Sequence, residues 1–165
     1  MSETDPAEAA IANLGILARR RIEAEILAPV YETLKAEFGV YKARDVIRRA
    51  VREAAISAGK TFAEQAPGGP SLENFRAIQP LWTKDGALEI ETLRETPDVY
   101  DFNVRRCRYA ETYRKMGLAE IGGLLSCNRD GAFCEGYSDR LKLTRTQTIM
   151  EGASHSDFRY RVAEE

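Results

Sequence analysis

The chain has little of what most generic sites are built from. It carries one histidine, one tryptophan and three cysteines in 165 residues. Cys107, Cys127, Cys134 and His155 could in principle supply four ligands, but no close Cys pair has the spacing of structural zinc. No metal and no cofactor is therefore expected. Three cysteines cannot all pair within one chain, and the acidic start Met-Ser-Glu-Thr-Asp-Pro lacks the basic and apolar regions of a signal peptide. Reduced thiols in a cytoplasmic protein are the simplest expectation. No apolar run approaches the roughly 20 residues of a membrane span, so no membrane partner is expected. Excess positive charge is also missing. The net charge of −2 and the pI of about 5.7 argue against nucleic acid as a main partner. The one basic run, Ala18-Arg-Arg-Arg-Ile22, is interleaved with Glu23 and Glu25 and reads as a solvated helix face. No Gly-rich phosphate loop follows a strand, and there is no dinucleotide fingerprint.

What is present suits a globular protein: 44% hydrophobic and 30% charged residues. The length suggests one domain over 1–165, with a mainly helical half at 1–85 and a sheet-containing half at 86–165. Asp5-Pro6 is a helix start, with a capping carboxylate before a first-turn proline. Apolar residues follow at helical spacing to Leu34, with a break or kink expected near Pro29 and a stop at Gly39. A second stripe, Ala43, Val46, Ile47, Ala50, Val51, Ala54 and Ala58, predicts a core-facing helix. This stripe packs on the first helix or on a second subunit, so a homo-oligomer through the N-terminal helices is one expected arrangement. Ala66-Pro-Gly-Gly-Pro70 ends the helical run, and Ser71 caps a short helix to about Gln79.

The period then changes from that of a helix to that of a strand. Leu88, Ile90 and Thr92 alternate with acids, and Tyr100, Phe102 and Val104 alternate with polar residues, across a turn at Thr96-Pro-Asp98. Helical stretches follow from about Arg108 to Lys115 and from Leu118 into the Cys127 region. Two further strands are expected near Lys142–Met150 and Ser156–Val162. The fold class is α+β: N-terminal helices packed on an antiparallel sheet of about four strands, as two hairpins separated by helices.

The scarce reactive side chains gather near the C-terminal end. Cys127 and Asp130, three apart, share a face if the helix reaches them. A carboxylate there raises the thiol's pKa or carries protons for it; a buried Cys beside a capping Asp is the plainer alternative. In the expected last strand, Ser156 shares the core-facing side with Phe158 and Tyr160, while His155 and Asp157 point the other way. Arg145, within a partly apolar strand, needs a partner. That partner is either a bound carboxylate or an internal acid such as Glu89 or Glu91.

In this order, Arg106-Cys-Arg-Tyr-Ala-Glu111, Leu125-Ser-Cys-Asn-Arg-Asp130, Leu143-Thr-Arg-Thr-Gln-Thr148 and Gly152-Ala-Ser-His-Ser-Asp-Phe158 resemble the L-2-amino-thiazoline-4-carboxylic acid hydrolase family. The resemblance runs from about Arg21 to Val162. It departs at one place: Ser156-Asp157-Phe158 stands where the family pattern has Cys-Asp-Phe. The resemblance implies metal-independent hydrolysis of a C–N bond in a small cyclic amidine or amide bearing a carboxylate. Position 156 or Cys127 would be the nucleophile, Asp130 or His155 would shuttle protons, and Arg145, with Asp157 nearby, would hold the substrate. The ending also resembles a small-molecule-binding domain associated with vinyl reductases, which implies the same fold and a non-enzymatic ligand-binding or sensor alternative.

Overall fold

The computed structural model describes residues 4–164. Asp5 caps α1 (Pro6–Ala12), its carboxylate accepting the Ala7 N–H at 3.0 Å. The chain breaks at Asn13–Gly15 and restarts as α2 (Ile16–Phe38), which runs unbroken through Pro29. The break expected near Pro29 therefore lies a few turns earlier. Two facts account for this. Gly15 is extended, and Lys84 Nζ holds the Asn13 carbonyl at 2.5 Å. Pro29 sits on the solvent side, where the carbonyl freed of its N–H partner can take water. Gly39, at φ 84°, ends α2 and starts α3 (Val40–Gln65).

The buried row of α3 is Ala43, Ile47, Val51, Ala55 and Gly59, at steps of four. It is narrower than the expected stripe: Ala50 and Ala54 are exposed. Ser71 Oγ caps α4 (Leu72–Ile78), and α5 (Pro80–Thr83) follows. Strands β1 (Leu88–Glu95) and β2 (Val99–Cys107) form the first hairpin, and α6 (Arg108–Lys115) comes next. A π-helical turn at Gly123–Cys127 runs directly into α7 (Asn128–Tyr137), so the helix expected to stop near Cys127 goes on to Tyr137. Strands β3 (Leu141–Thr144) and β4 (Ser156–Val162) complete an antiparallel sheet of order β1-β2-β4-β3. The fold is α+β.

Strand β3 stops at Thr144, six residues short of the expected Met150. Asp157 on β4 is the reason. Its carboxylate accepts the N–H groups of Thr146 and Gln147, both at 2.9 Å, and the Thr146 hydroxyl at 2.5 Å. These bonds replace the ladder with a side-chain-held turn.

The core has two clusters. One lies among α2, α3, α6 and the π-turn, around Tyr31, Ile47, Tyr113 and Leu125. The other lies between the sheet and α7, around Phe102, Phe133, Tyr137 and Tyr160. Trp82, Leu88 and Cys107 pack against both. The seam between the clusters holds the cavities described next.

Candidate functional site

Burial of the alternate β4 side chains turns Ser156 inward, 6% exposed, and its partner across the sheet is Val104. The π-turn, wider than an α-turn, brings Cys127 to the same place. Asp130 follows on the first turn of α7, and Arg145 enters from the segment just past β3. These four side chains border one cavity of about 60 Å³, with Cys107, Tyr109 and Tyr113 on its walls. His155 and Asp157 do not border it. Gln147 Nε2 donates to the His155 carbonyl at 2.9 Å, the imidazole lies 3.0 Å from the Ser154 hydroxyl, and Asp157 holds the 146–147 turn.

Arg145 is not mid-strand, and neither Glu89 nor Glu91 is its partner. Glu89 pairs with Arg106, and Glu91 with Arg105. Arg145 instead donates to Asp130 at 2.5 Å and to the Cys127 carbonyl at 2.9 Å, with its guanidinium 5.1 Å from the centre of the Phe158 ring. The sheet's edge strand ends before Arg145, so its side chain swings off the sheet face toward α7 instead of toward β1. Burial drives the Asp130 carboxyl above the ordinary range, and Arg145 opposes that shift. Any ligand carboxylate would compete with Asp130 for this arginine.

The thiols are not activated. Burial first, and the Asp130 charge second, push Cys127 up to about 12; Arg145 is too weak to reverse this. Burial also raises Cys107. Cys134, pushed up to about 12 mainly by burial, belongs to the core under α7. Among the described residues, the Ser156 hydroxyl has its hydrogen bond with the Ile149 N–H, which it accepts at 2.9 Å, and not with a carboxylate or imidazole. Tyr113 is buried, and its hydroxyl makes no hydrogen bond of ordinary geometry, although Ser126 is near enough to influence it. No group of three His, Cys, Asp or Glu among the described residues could hold a metal ion. No described helix is long and apolar enough to cross a membrane.

A second cavity, of about 240 Å³, adjoins the first and is bordered by aromatic, aliphatic and charged side chains. Arg20, Trp82, Leu88, Arg129, Asp130 and Phe158 border both. Arg20 corrects the reading of the basic run as a solvated face: its side chain is only 11% exposed. A signal for this was in the sequence. Ile16, Arg20 and Ala24 are four apart, so Arg20 falls on the buried row of α2. Arg129, equally buried, bonds the Leu125 carbonyl at 2.8 Å and Glu23 at 2.9 Å.

The family model described as L-2-amino-thiazoline-4-carboxylic acid hydrolase matches residues 19–160. No curated protein matches the sequence. Among solved structures, the chain is similar to the phenol-responsive sensory domain of the transcription activator PoxR with phenol. The TM-score is 0.51 and the identity 15%, over 84% of this chain and 73% of that one. A trafficking protein particle complex subunit 3 from Naegleria fowleri, covalently bound to palmitic acid, matches at TM-score 0.49 and 11% identity, over 89% of this chain and 96% of that one. The likeness to the sensory domain is one of fold alone.

Proposed function

We propose, because the chain belongs to the L-2-amino-thiazoline-4-carboxylic acid hydrolase family, that it hydrolyses a C–N bond in a small cyclic amidine or amide bearing a carboxylate. The reacting carbon sits in the smaller cavity, beside position 156. The nucleophile's oxygen or sulfur bonds to that carbon, and a tetrahedral intermediate forms. The ring C–N bond then breaks, with the proton passing to the departing nitrogen, and water releases the enzyme. Asp130, raised by burial and held by Arg145, is the proton carrier this pocket offers. His155 faces elsewhere, so Ser156 works without an imidazole and the chain is slow.

One observation carries this reading: Ser156 from β4, Arg145 from the segment past β3, and Cys127 and Asp130 from the π-turn and α7 border one cavity. The test is ring opening of 2-amino-thiazoline-4-carboxylate and small cyclic amide carboxylates. Ser156→Cys raises turnover by orders of magnitude, because a thiol needs less help from a base than a hydroxyl. If Ser156→Cys changes nothing while Cys127→Ala abolishes turnover, Cys127 is the nucleophile.

A non-enzymatic, ligand-binding reading is favoured by a different observation: burial holds the cavity thiols protonated. A phenol-responsive sensory domain is built on a similar fold. Absence of ring opening by the parent, Ser156→Cys and Cys127→Ala alike would make this the better reading. A homo-oligomer, if formed through the N-terminal helices, would cover Ile22, Ile26 and Val30, which are exposed along α2. Sedimentation of the parent against Ile26→Glu reads this directly.

A further inference from the structure

The two chambers differ in size in a way that bears on the ligand. At about one water per 10–15 Å³, a space of about 60 Å³ takes a few waters and no ring, whereas a cavity that takes benzene measures about 150 Å³. A ring attacked at position 156 therefore reaches the smaller chamber with one edge only. The rest of the molecule lies in the chamber of about 240 Å³, past a waist formed by the side chains that border both chambers, Arg20 and Asp130 among them. That space exceeds what a small heterocycle with a carboxylate fills. Its walls include Phe62, Phe75, Trp82, Phe133, Phe158 and Tyr160. Several already meet at steep angles, as Trp82 and Phe133 do at 80° with centroids 5.4 Å apart, and such faces and edges suit a further ring.

The polar groups at this chamber's rim favour an anion. Arg129 is committed to Glu23 and to the Leu125 carbonyl. Arg20 bonds only Glu23, through Nη1 at 3.0 and 3.1 Å, among the described residues, which leaves donors on its fork. Arg19 lines the same chamber; its Nη2 bonds the Ile11 carbonyl at 2.8 Å, while its Nε is buried without a partner. Asp130 at the waist is already answered by Arg145.

The geometry points to a two-part ligand: an aryl-sized apolar portion in the aromatic chamber, a carboxylate held by Arg20 at the waist, and a reacting end beside Ser156. This rests on the ring-opening reading for its reacting end. The substrate class becomes cyclic amidines or amides that carry an aromatic substituent as well as a carboxylate.

The chain's one tryptophan, Trp82, borders both chambers, so its fluorescence reports occupancy without any turnover. We expect 3-phenylpropionate to give a saturable change and to bind at least about tenfold tighter than propionate, from burial of the ring. Ala58→Leu fills the aromatic chamber from α3 and should remove that advantage. Arg20→Gln should weaken 3-phenylpropionate more than 3-phenylpropionamide. On Ser156→Cys, 3-phenylpropionate should slow alkylation of the introduced thiol, read peptide by peptide. Equal affinity for propionate, indifference to Ala58→Leu, equal losses for acid and amide with Arg20→Gln, or no protection of the introduced thiol would each overturn the proposal. If the probe binds as expected and no variant opens a ring, the hydrolase reading alone fails. If rings open with no preference for an aromatic substituent, the two-part ligand alone fails.

Discussion

Burial sets the chemistry of the cavity's reactive side chains. Cys127 and Cys134 stand near 12, against 9.0 for an ordinary thiol, and desolvation is the leading cause for both. Above pH 9 the unfolded chain gives up these protons while the folded chain keeps them. Stability contributed by each thiol is therefore full below pH 9 and is lost as pH rises toward 12. The slope reaches about 1.4 kcal/mol per pH unit per thiol. Urea midpoints should fall between about pH 9 and about pH 10, and Cys127→Ala should flatten the fall. An unchanged slope would mean that Cys127 ionises as it does in the unfolded chain. In the native protein Cys127 should resist iodoacetamide at pH 8, since burial keeps its thiol protonated there.

The pair Arg145–Asp130 makes a second prediction at the same scale. Arg145→Met leaves the Asp130 carboxylate desolvated and unpaired, which should cost about 3 kcal/mol at neutral pH. Burial already raises Asp130, so the loss should shrink as pH falls and the carboxyl takes its proton. Adding Asp130→Asn should recover much of it. A full loss in the double variant would show that Arg145 matters through packing on Phe158 instead.

Among the elements, the tightest contact is where α3 crosses α7. A Cβ on Gly136 would lie 2.0 Å from the Ile56 carbonyl oxygen, and one on Gly59 would lie 2.2 Å from the Phe133 oxygen. Both obstacles are backbone and cannot rotate away. Gly136→Ala should cost about 3 kcal/mol, seen as a lowered melting temperature. An unchanged melting temperature would mean that the helices can separate cheaply. This crossing was hidden in the sequence, because Gly136 lies beyond the expected end of its helix near Cys127. Periodicity gave part of the core: Ala43, Ile47 and Val51 on the buried row of α3, but not Ala55 or Gly59, and the buried Tyr100, Phe102 and Val104 of β2, whereas in β1 only Leu88 and Ile90 are half-buried and Thr92 is exposed. The end of β3 could not be read, because it depends on Asp157, eleven residues beyond Thr146. For the site, the meeting of Cys127 and Asp130 with Ser156 followed from helix and strand spacing, whereas Arg145 joins them from outside the strand expected to carry it. Arg145's partner, Asp130, could not be read, since it depends on β3 ending at Thr144.

At the scale of the whole molecule, the cavities lie along the seam where the helical cluster meets the sheet cluster, and Trp82 packs into both. If 1–165 is one cooperative unit, a fault placed deep in the helical cluster must weaken the sheet side as well. Val51, 3% exposed on the buried row of α3, offers such a place. Val51→Asp puts a charge with no partner into that cluster and should cost about 3 kcal/mol or more. Far-ultraviolet circular dichroism is dominated by the helices, whereas Trp82 fluorescence reads the seam. Both midpoints should fall together, in the parent and in Val51→Asp alike. A helical signal lost at lower denaturant than the Trp82 signal would mean that the halves unfold separately. The cavities would then open without loss of the sheet, and ligand binding would stabilise only the seam. Coincident midpoints mean that any ligand filling the seam raises the stability of the whole chain, by an amount that grows with the logarithm of its concentration.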